Sequence, residues 1–300
     1  MSDRFRNERP CVLCGNTTYV ALKSSRLDHL WRCAYCDLVS VRRLPDPEEL
    51  HAVYGEAYFR NTRSEEMGYE DYEQDRFCIA KTAGRRLETI ERYHPERGRL
   101  LDVGCALGFF ADTARARGWQ AEGIDISQHA VDYAVEQLGL PAKKGVLSES
   151  AYEPGTFDVI TMWDVIEHVT DPVAELRLVY DLLRPGGLLM LSTPDVGSMV
   201  AKATGPRWMG YKLAEEHLYY FDEKTISLAL EKAAFEVLET RPIGKDVSLE
   251  FFAKRLRLYA PPAASALGWG LDRVGLGRAS VYVNPRDIMA VVARKAGEPA

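Results

Sequence analysis

From Arg99 onward, short apolar runs alternate regularly with amphipathic segments, and few folds accommodate that order. In the amphipathic segments the apolar residues recur three and four positions apart, as on one face of a helix. Strands that alternate with helices need crossover connections, which predicts an α/β fold with a mostly parallel sheet. The predicted strands span 99–104, 121–127, 157–164, 186–194, 235–240 and 287–293, and the predicted helices span 109–117, 128–138, 172–183 and 223–234.

The charge of the chain changes sign near residue 45. Residues 1–43 contain eight Lys or Arg against four Asp or Glu, whereas residues 44–75 contain two against ten. We therefore expect a small domain at 1–45, a helical connector or lid at 46–98, and a main domain at 99–300. Helical spacing of apolar residues over 75–92 supports the connector.

The composition argues against several classes of protein. Hydrophobic residues make up 46% of the 300 residues, which supplies a full core and disfavours global disorder. No apolar stretch of about 18 residues occurs, and the first ten residues lack a signal-like apolar run, so a cytoplasmic location is expected. The net charge of −6 disfavours nucleic-acid binding, because duplex affinity comes mainly from Lys and Arg.

Four of the six cysteines form two CxxC pairs, Cys11 with Cys14 and Cys33 with Cys36, with 18 residues between the pairs. This spacing is typical of a four-thiolate zinc site. A structural Zn²⁺ would supply folding energy that about forty residues cannot obtain from a core of their own. The alternatives are two disulfides or a redox CxxC. The lack of an export signal disfavours disulfides, and neither pair begins a strand-helix redox unit.

Residues 99–108 have the pattern of a buried strand, a glycine-containing turn and the start of a helix. Gly104 would let the backbone approach a ligand, Gly108 would let the helix pack closely, and Ala106 takes the place of a middle glycine. Asp125, 21 positions after Gly104, could accept hydrogen bonds from both hydroxyls of a ribose. A dinucleotide site would place its pyrophosphate at the N-terminus of this helix, where a negative charge on Asp102 is unfavourable. A carboxylate at Asp102 is better suited to meet an ammonium group.

This segment resembles the class I S-adenosylmethionine-dependent methyltransferases, whose first motif reads D/E-x-G-x-G-x-G. The resemblance continues through 123–127, through 157–169 with its Glu-His-Val ending, and through 183–188. It implies a Rossmann-like seven-stranded methyltransferase sheet with an antiparallel final hairpin, preceded here by the small zinc ribbon. It also implies S-adenosylmethionine as cofactor.

The same resemblance implies which residues bind the cofactor: Asp102, Gly104, Cys105, Gly108, Asp125, Ile126 and Trp163. Asp102 and Gly104 would face its methionine part, and Trp163 the edge of the adenine or the methionine. Asp125 would face the ribose and Ile126 the adenine. Asp102 as a cap of the following turn and Trp163 as a core residue are the structural alternatives.

Methyl transfer from a sulfonium is an in-line displacement, so the enzyme contributes position, a dry site and, where the acceptor carries a proton, a general base. His168 and His217 are the candidates, since histidine titrates near neutrality and both are expected to follow the carboxyl ends of strands. A zinc ribbon joined to this core, with a later Glu-His pair, resembles the sugar C-methyltransferases of deoxysugar pathways. That resemblance adds Glu216 as a third catalytic residue.

Two departures leave the methylated atom open. The 300 residues do not include the large C-terminal domain of those C-methyltransferases, and Ala214 stands where they carry a tyrosine. Quinone-type O-methyltransferases share the Glu-His-Val element, for which metal binding and helix capping are both explanations. The expected acceptor is a small carbohydrate-like or natural-product molecule, such as a sugar nucleotide or a polyprenyl-linked glycan, methylated on oxygen or carbon. A methyltransferase whose ribbon grips RNA or DNA is the alternative.

A basic, amphipathic insertion at about 247–283 precedes the last predicted strand. Residues 251–280 contain five Lys or Arg and one Asp in a chain that is acidic overall. A solvated cap over the active site is one interpretation. The other is that Arg255, Arg257 and Arg273 meet an anionic acceptor or the inner face of a membrane.

Overall fold

The computed structural model describes residues 4–45, 75–213, 217–256, 262, 265, 269–271, 273, 276–277 and 279–296. Much of the predicted connector, residues 46–74, lies outside the described residues, as does Glu216. The remainder of the connector contains helix α1 (Arg76–Tyr93), within one residue of the predicted 75–92.

The amino-terminal residues fold into a small antiparallel sheet. Its strands are β1 (Arg4–Arg6), β2 (Thr18–Ala21), β3 (Leu30–Cys33), β4 (Val39–Val41) and, from far along the chain, β10 (Tyr219–Tyr220). The order in the sheet is β1-β2-β3-β4-β10. The ribbon of the first 45 residues is thus continued by a strand from the main domain.

The main sheet has seven strands in the order β11-β14-β9-β8-β5-β6-β7. They are β5 (Arg99–Val103), β6 (Gln120–Asp125), β7 (Ala142–Lys144), β8 (Phe157–Trp163), β9 (Leu183–Pro194), β11 (Phe235–Pro242) and β14 (Ile288–Lys295). The five strands β5 to β9 run parallel, and β14 runs antiparallel to both β9 and β11. The predicted α/β fold with antiparallel final strands is confirmed.

The part of the chain that the structure describes contains six further α-helices: α2 (Phe109–Ala116), α3 (Gln128–Leu138), α4 (Pro172–Leu182), α5 (Met199–Thr204), α6 (Glu223–Lys232) and α7 (Leu249–Leu256). Polar caps fix several of their starts. The Ser127 side chain accepts a hydrogen bond from a backbone N–H of α3, and Asp171 accepts two from α4. Asp222 and Thr225 form a reciprocal capping box at α6.

The central strands are buried on both faces, as parallel strands between helical layers must be. Alternation along β5 sends Leu101 and Val103 into one core cluster and Leu100 into the other. The first cluster also contains residues of α4 and α6 and the buried side chains of the ribbon. The ribbon and the main domain therefore share a hydrophobic core.

A second hairpin frames the insertion. Strands β12 (Lys245–Ser248) and β13 (Ser280–Val283) pair antiparallel, and α7 follows β12 directly. Sequence patterns missed this pair and the three-residue β7, because such short strands carry too few residues to show alternation. Among the described residues, no helix has both the length and the hydrophobicity that crossing a bilayer requires.

Candidate active site

The carboxyl ends of β5, β6 and β8 meet at one edge of the main sheet, where open α/β sheets bind their ligands. The turn after β5 is tightly packed. A Cβ on Gly104, whose φ is +68°, would lie 2.5 Å from Val165 Cγ2. A Cβ on Gly108, whose φ is +84°, would lie 2.8 Å from Leu140 Cδ2. Both positions therefore require glycine.

Ala106, where the family motif has its middle glycine, adopts a φ of +48°. A side chain is strained in this left-handed region. Its neighbour Cys105 turns its sulfur away from the edge, into the space over Gly123, where a Cβ would lie 2.5 Å from Sγ. The Cys105 sulfur thus packs against β6, and the Cys105 N–H donates to the Ile124 carbonyl over 3.2 Å.

Asp125 ends β6 and holds this turn in place. Its Oδ2 accepts a hydrogen bond of 2.8 Å from the Ala106 N–H, and its Oδ1 accepts one of 2.9 Å from the Ser127 N–H. Burial raises the pKa of Asp125, while the two backbone donors favour its charged form. Each carboxylate oxygen keeps a lone pair for a further donor, and half-buried Ile126 follows directly.

Asp102 lies one strand away from Asp125 and is 2% exposed. The Thr161 hydroxyl donates to its Oδ1 over 2.7 Å. Burial raises the pKa of Asp102 to about 7, against the hydrogen bond from Thr161 and the positive charge of Arg86. The carboxyl group therefore changes charge near neutral pH, and a cationic ligand would favour its ionised form.

Arg86 of α1 is a site residue that the sequence did not reveal. Its guanidinium lies 4.2 Å from the centroid of the Trp163 ring, and its buried Nε has no hydrogen-bond partner. The Trp163 ring in turn packs at 5.0 Å against Phe110. Arg85 and Arg86 stand together on the polar side of a predicted helix, so periodicity alone could not tell which one points inward.

Asp164 is a second such residue and has a φ of +55° at the end of β8. The Ser192 hydroxyl donates to its Oδ1 over 2.6 Å, and Lys245 of β12 donates to its Oδ2 over 2.8 Å. Burial opposes ionisation, but Lys245 and Arg86 outweigh it and hold the pKa of Asp164 below its ordinary value. This ion pair connects the insertion hairpin to the site.

His168 and His217 lie side by side, with ring centroids 4.8 Å apart. His168 follows β8, as expected, whereas His217 lies two residues before β10 and follows no strand among the described residues. Burial, and then the neighbouring His168, lower the pKa of His217, which is 3% exposed. The Glu216 predicted beside it lies outside the described residues.

Glu167 lies beside the two histidines. In the sequence it stood out only as the first residue of the Glu-His-Val pattern. Its Oε1 lies 4.0 Å from His217 Nε2, and both carboxylate oxygens are buried without a hydrogen-bond partner. Burial, and then the charge of Asp164, raise the pKa of Glu167 well above its ordinary value. One donor atom from each of Glu167, His168 and His217 fits within a 4.8 Å span, so the trio could also hold a divalent cation.

The four ribbon cysteines converge as predicted. The Sγ atoms of Cys11 and Cys36 are 3.5 Å apart, and those of Cys14 and Cys33 are 3.4 Å apart. These distances are far longer than a disulfide bond and near the ~3.8 Å edge of a tetrahedron of thiolates around Zn²⁺. A hydrogen bond from Cys36 lowers the pKa of Cys11 to about 5. The donor set fits a zinc ion.

The seven-stranded α/β sheet thus has a glycine turn, two buried carboxylates and a histidine pair at one edge. Residues 72–240 match the family model described as "Methyltransferase domain". Because this match covers more than half of the 300 residues, the chain belongs to the methyltransferase domain family.

Individual relatives match over a shorter range. The ubiquinone biosynthesis O-methyltransferase of Albidiferax ferrireducens is 38% identical over 118 residues, or 36% of this chain and 46% of the relative. That of Ralstonia nicotianae is 36% identical over 116 residues, or 36% of this chain and 48% of the relative. The chain thus spans about half the length of these curated relatives.

A solved structure gives the fold independently. A SAM dependent methyltransferase from Archaeoglobus fulgidus superposes with a TM-score of 0.51 at 14% identity, over 75% of this chain and 99% of that one. The fold is therefore that of the S-adenosylmethionine-dependent methyltransferases.

Proposed function

We propose that the protein transfers a methyl group from S-adenosylmethionine to a hydroxyl oxygen of a small acceptor, with His217 or His168 as general base. The observation that carries this proposal is the imidazole pair, with ring centroids 4.8 Å apart. His168 follows three residues after Val165, whose side chain packs over Gly104 of the cofactor turn. The names of these relatives, ubiquinone biosynthesis O-methyltransferases, support oxygen as the methylated atom.

The cofactor supplies an electrophilic methyl group on a sulfonium. Asp125 would accept hydrogen bonds from its ribose hydroxyls, because its oxygens are already oriented by two backbone donors. Asp102 would pair with its ammonium group, and the buried Nε–H of Arg86, which has no partner, would donate to its carboxylate. Gly104 and Gly108 keep the turn free of side chains, and Ile126 and Trp163 offer apolar surfaces.

The histidine pair suits proton removal from a hydroxyl. The lowered pKa of His217 keeps its imidazole neutral near pH 7, so that it can accept a proton as the oxygen attacks the methyl carbon. The bond from the methyl carbon to sulfur breaks as its bond to oxygen forms, which gives a methyl ether and S-adenosylhomocysteine. The Glu167 carboxyl group lies 4.0 Å from His217 Nε2, where its ionised form would stabilise the resulting imidazolium, although burial raises its pKa.

A second candidate mechanism is metal-assisted deprotonation, which the unpartnered oxygens of Glu167 favour. A cation held by Glu167, His168 and His217 would bind the acceptor oxygen and lower its pKa. Metal analysis separates the two mechanisms. One zinc per chain, lost only in Cys variants, supports the histidine base, whereas a second metal lost in Glu167→Gln supports the cation.

For the acceptor we propose a carbohydrate-like or natural-product hydroxyl compound, such as a sugar nucleotide or a polyprenyl-linked glycan. C-methylation through an enolate would use the same histidines. The proposed zinc ion, held by Cys11, Cys14, Cys33 and Cys36, is structural, because four thiolates leave it no open position.

The test combines binding and turnover. Calorimetry with S-adenosylhomocysteine is expected to show binding that Asp125→Ala abolishes. Transfer of a labelled methyl group is then screened over sugar nucleotides, phenols and catechols, with mass spectrometry to locate the methyl group. His217→Gln should lose most turnover while keeping cofactor affinity, and His94→Gln, at the opposite end of the sheet beside Asp158, should keep both. No affinity for either adenosyl compound would overturn the proposal.

A further inference from the structure

We infer that the cysteine ribbon positions a residue of the active site, because its strand β4 pairs with β10, the strand that begins two residues after His217. The inference rests on the proposed role of His217 as a base. It gives the four-cysteine site a task beyond the stability of the first 45 residues, namely the positioning of a residue some 180 positions further along the chain.

The first line of evidence is the backbone pairing around His217. Tyr219 pairs with Ser40 and Tyr220 with Val39, and the Val41 N–H donates to the Leu218 carbonyl over 3.0 Å. On the other side, the N–H groups of Leu218 and Tyr219 both donate to the Glu167 carbonyl, over 2.8 and 3.2 Å. The residues after His217 are thus clamped between the ribbon and the segment that carries Glu167 and His168.

Packing reinforces this clamp. Leu218, Tyr219 and Tyr220 are each at most 4% exposed. They belong to the same core cluster as Cys11, Cys33, Leu38 and Val39 of the ribbon. The Tyr219 hydroxyl also donates to the Thr170 carbonyl over 2.8 Å, just beyond His168. A displacement of β4 would therefore displace residues 218–220, which directly follow His217 and include Tyr220, whose ring lies 5.9 Å from the His217 ring.

The position of β4 depends in turn on the cysteines. Cys33 ends β3, Cys36 stands three residues before β4, and the Cys33 N–H donates to the Leu38 carbonyl over 2.9 Å. From the first cysteine loop, Arg9 donates to the Ser40 hydroxyl over 3.0 Å and to the Val41 carbonyl over 2.6 Å. A cation bound by the four sulfurs would fix the turn that leads into β4 and both contacts to it.

Among the described residues, the cofactor turn makes no such backbone pairing with the ribbon. Gly104 to Gly108 and Asp125 are held by one another and by β5 and β6, and neither strand pairs with the ribbon. Disturbing the ribbon should therefore displace His217 and leave cofactor affinity intact. If the ribbon only stabilised the first 45 residues, disturbing it would change neither the position of His217 nor the cofactor affinity.

The main test uses Val41→Pro in the full chain, with Val41→Ala as the matched control. Proline removes the N–H that donates to Leu218 and leaves all four sulfurs in place. The Leu218 and Tyr219 amides should exchange with deuterium about fivefold faster, as expected for the loss of one hydrogen bond. The His217 ring resonances should shift, because His168 and Tyr220 lie 4.8 and 5.9 Å from that ring. The Kd of S-adenosylhomocysteine should stay within about twofold, and Val41→Ala should show neither the faster exchange nor the shift.

Zinc removal from the wild-type chain by a chelator is the second perturbation and decides the question if Val41→Pro fails to fold. Faster exchange at 218–219 together with unchanged exchange in β8 supports the inference. Unchanged exchange at 218–219 while residues 11–36 open would overturn it, and so would loss of protection throughout the main sheet. None of these readouts needs methyl transfer, so a wild-type chain that does not bind S-adenosylhomocysteine refutes the proposed function separately.

Discussion

Ala106 shows how one residue can carry strain within an otherwise regular turn. Its φ of +48° is a conformation that glycine adopts freely and alanine does not. We expect Ala106→Gly to raise the free energy of unfolding by about 0.5–1 kcal/mol, since relief of strain exceeds the added chain entropy. Ala111→Gly, inside α2, should lower it by about 1 kcal/mol or more. Denaturant titrations measure both, and a destabilised Ala106→Gly would contradict the strain.

Asp102 predicts a pH dependence of cofactor binding. Its folded pKa of about 7 exceeds its unfolded value of 3.8, so its contribution to stability is present at low pH and lost as the pH rises from about 4 through 7. The cofactor's ammonium group would favour the ionised carboxylate. Affinity for S-adenosylmethionine should therefore rise between pH 6 and 8, with release of a proton.

Calorimetry in two buffers of different ionisation enthalpy measures that proton. Asp102→Asn should weaken binding and flatten its pH dependence, because the amide carries no charge at either pH. An equally steep pH dependence in Asp102→Asn would assign the proton to another group. The unliganded wild-type protein should be less stable at pH 8 than at pH 5, by about 3 kcal/mol from this group.

At the scale of elements, the hairpin of β12 and β13 is joined to the ligand edge through the 2.8 Å pair of Lys245 and Asp164. Both side chains are about 30% exposed, so the pair is worth only about 1 kcal/mol. A double-mutant cycle of Lys245→Met and Asp164→Asn should return a coupling energy of that size. A coupling near zero would mean that the hairpin is held by other contacts.

The insertion also bears on membrane contact, which we propose for its basic residues. Trp269 is 65% exposed, with the Arg273 guanidinium 4.8 Å from its ring centroid. Cations beside exposed aromatics favour an anionic lipid surface. Combined Arg255→Glu, Arg257→Glu and Arg273→Glu should abolish sedimentation with phosphatidylserine vesicles, and Arg115→Glu on α2 should not. Vesicle binding that survives the triple change would remove the proposal.

For the molecule as a whole, the sequence predicted the elements that are long, buried or capped. α3 was predicted to the residue, and β11 and β14 within two residues, because each carries its own pattern of apolar spacing. The predicted cysteines meet, and Asp102, Asp125 and the two glycines line one edge.

Contacts between distant short segments could not be predicted. The pairing of Tyr219 with Ser40 involves a strand of only two residues, which is too short to show a sequence pattern. Arg86 is one of several arginines on a polar helix face, so its contact with Trp163 could not be predicted. In the sequence, Asp164 is only the residue at the end of a predicted strand. Its partner Lys245 lies 81 positions further along the chain, and only the fold brings the two together. Non-local pairing of this kind depends on tertiary packing rather than on local propensity.

The sharing of β10 between ribbon and main domain limits how this chain can be divided. A fragment that starts at residue 46 would leave one edge of Tyr219–Tyr220 without its partner strand and would expose the apolar side chains that the ribbon covers. Unpaired strand edges beside apolar surface are sites of aggregation. Expression of the region from residue 46 onward should therefore give insoluble protein.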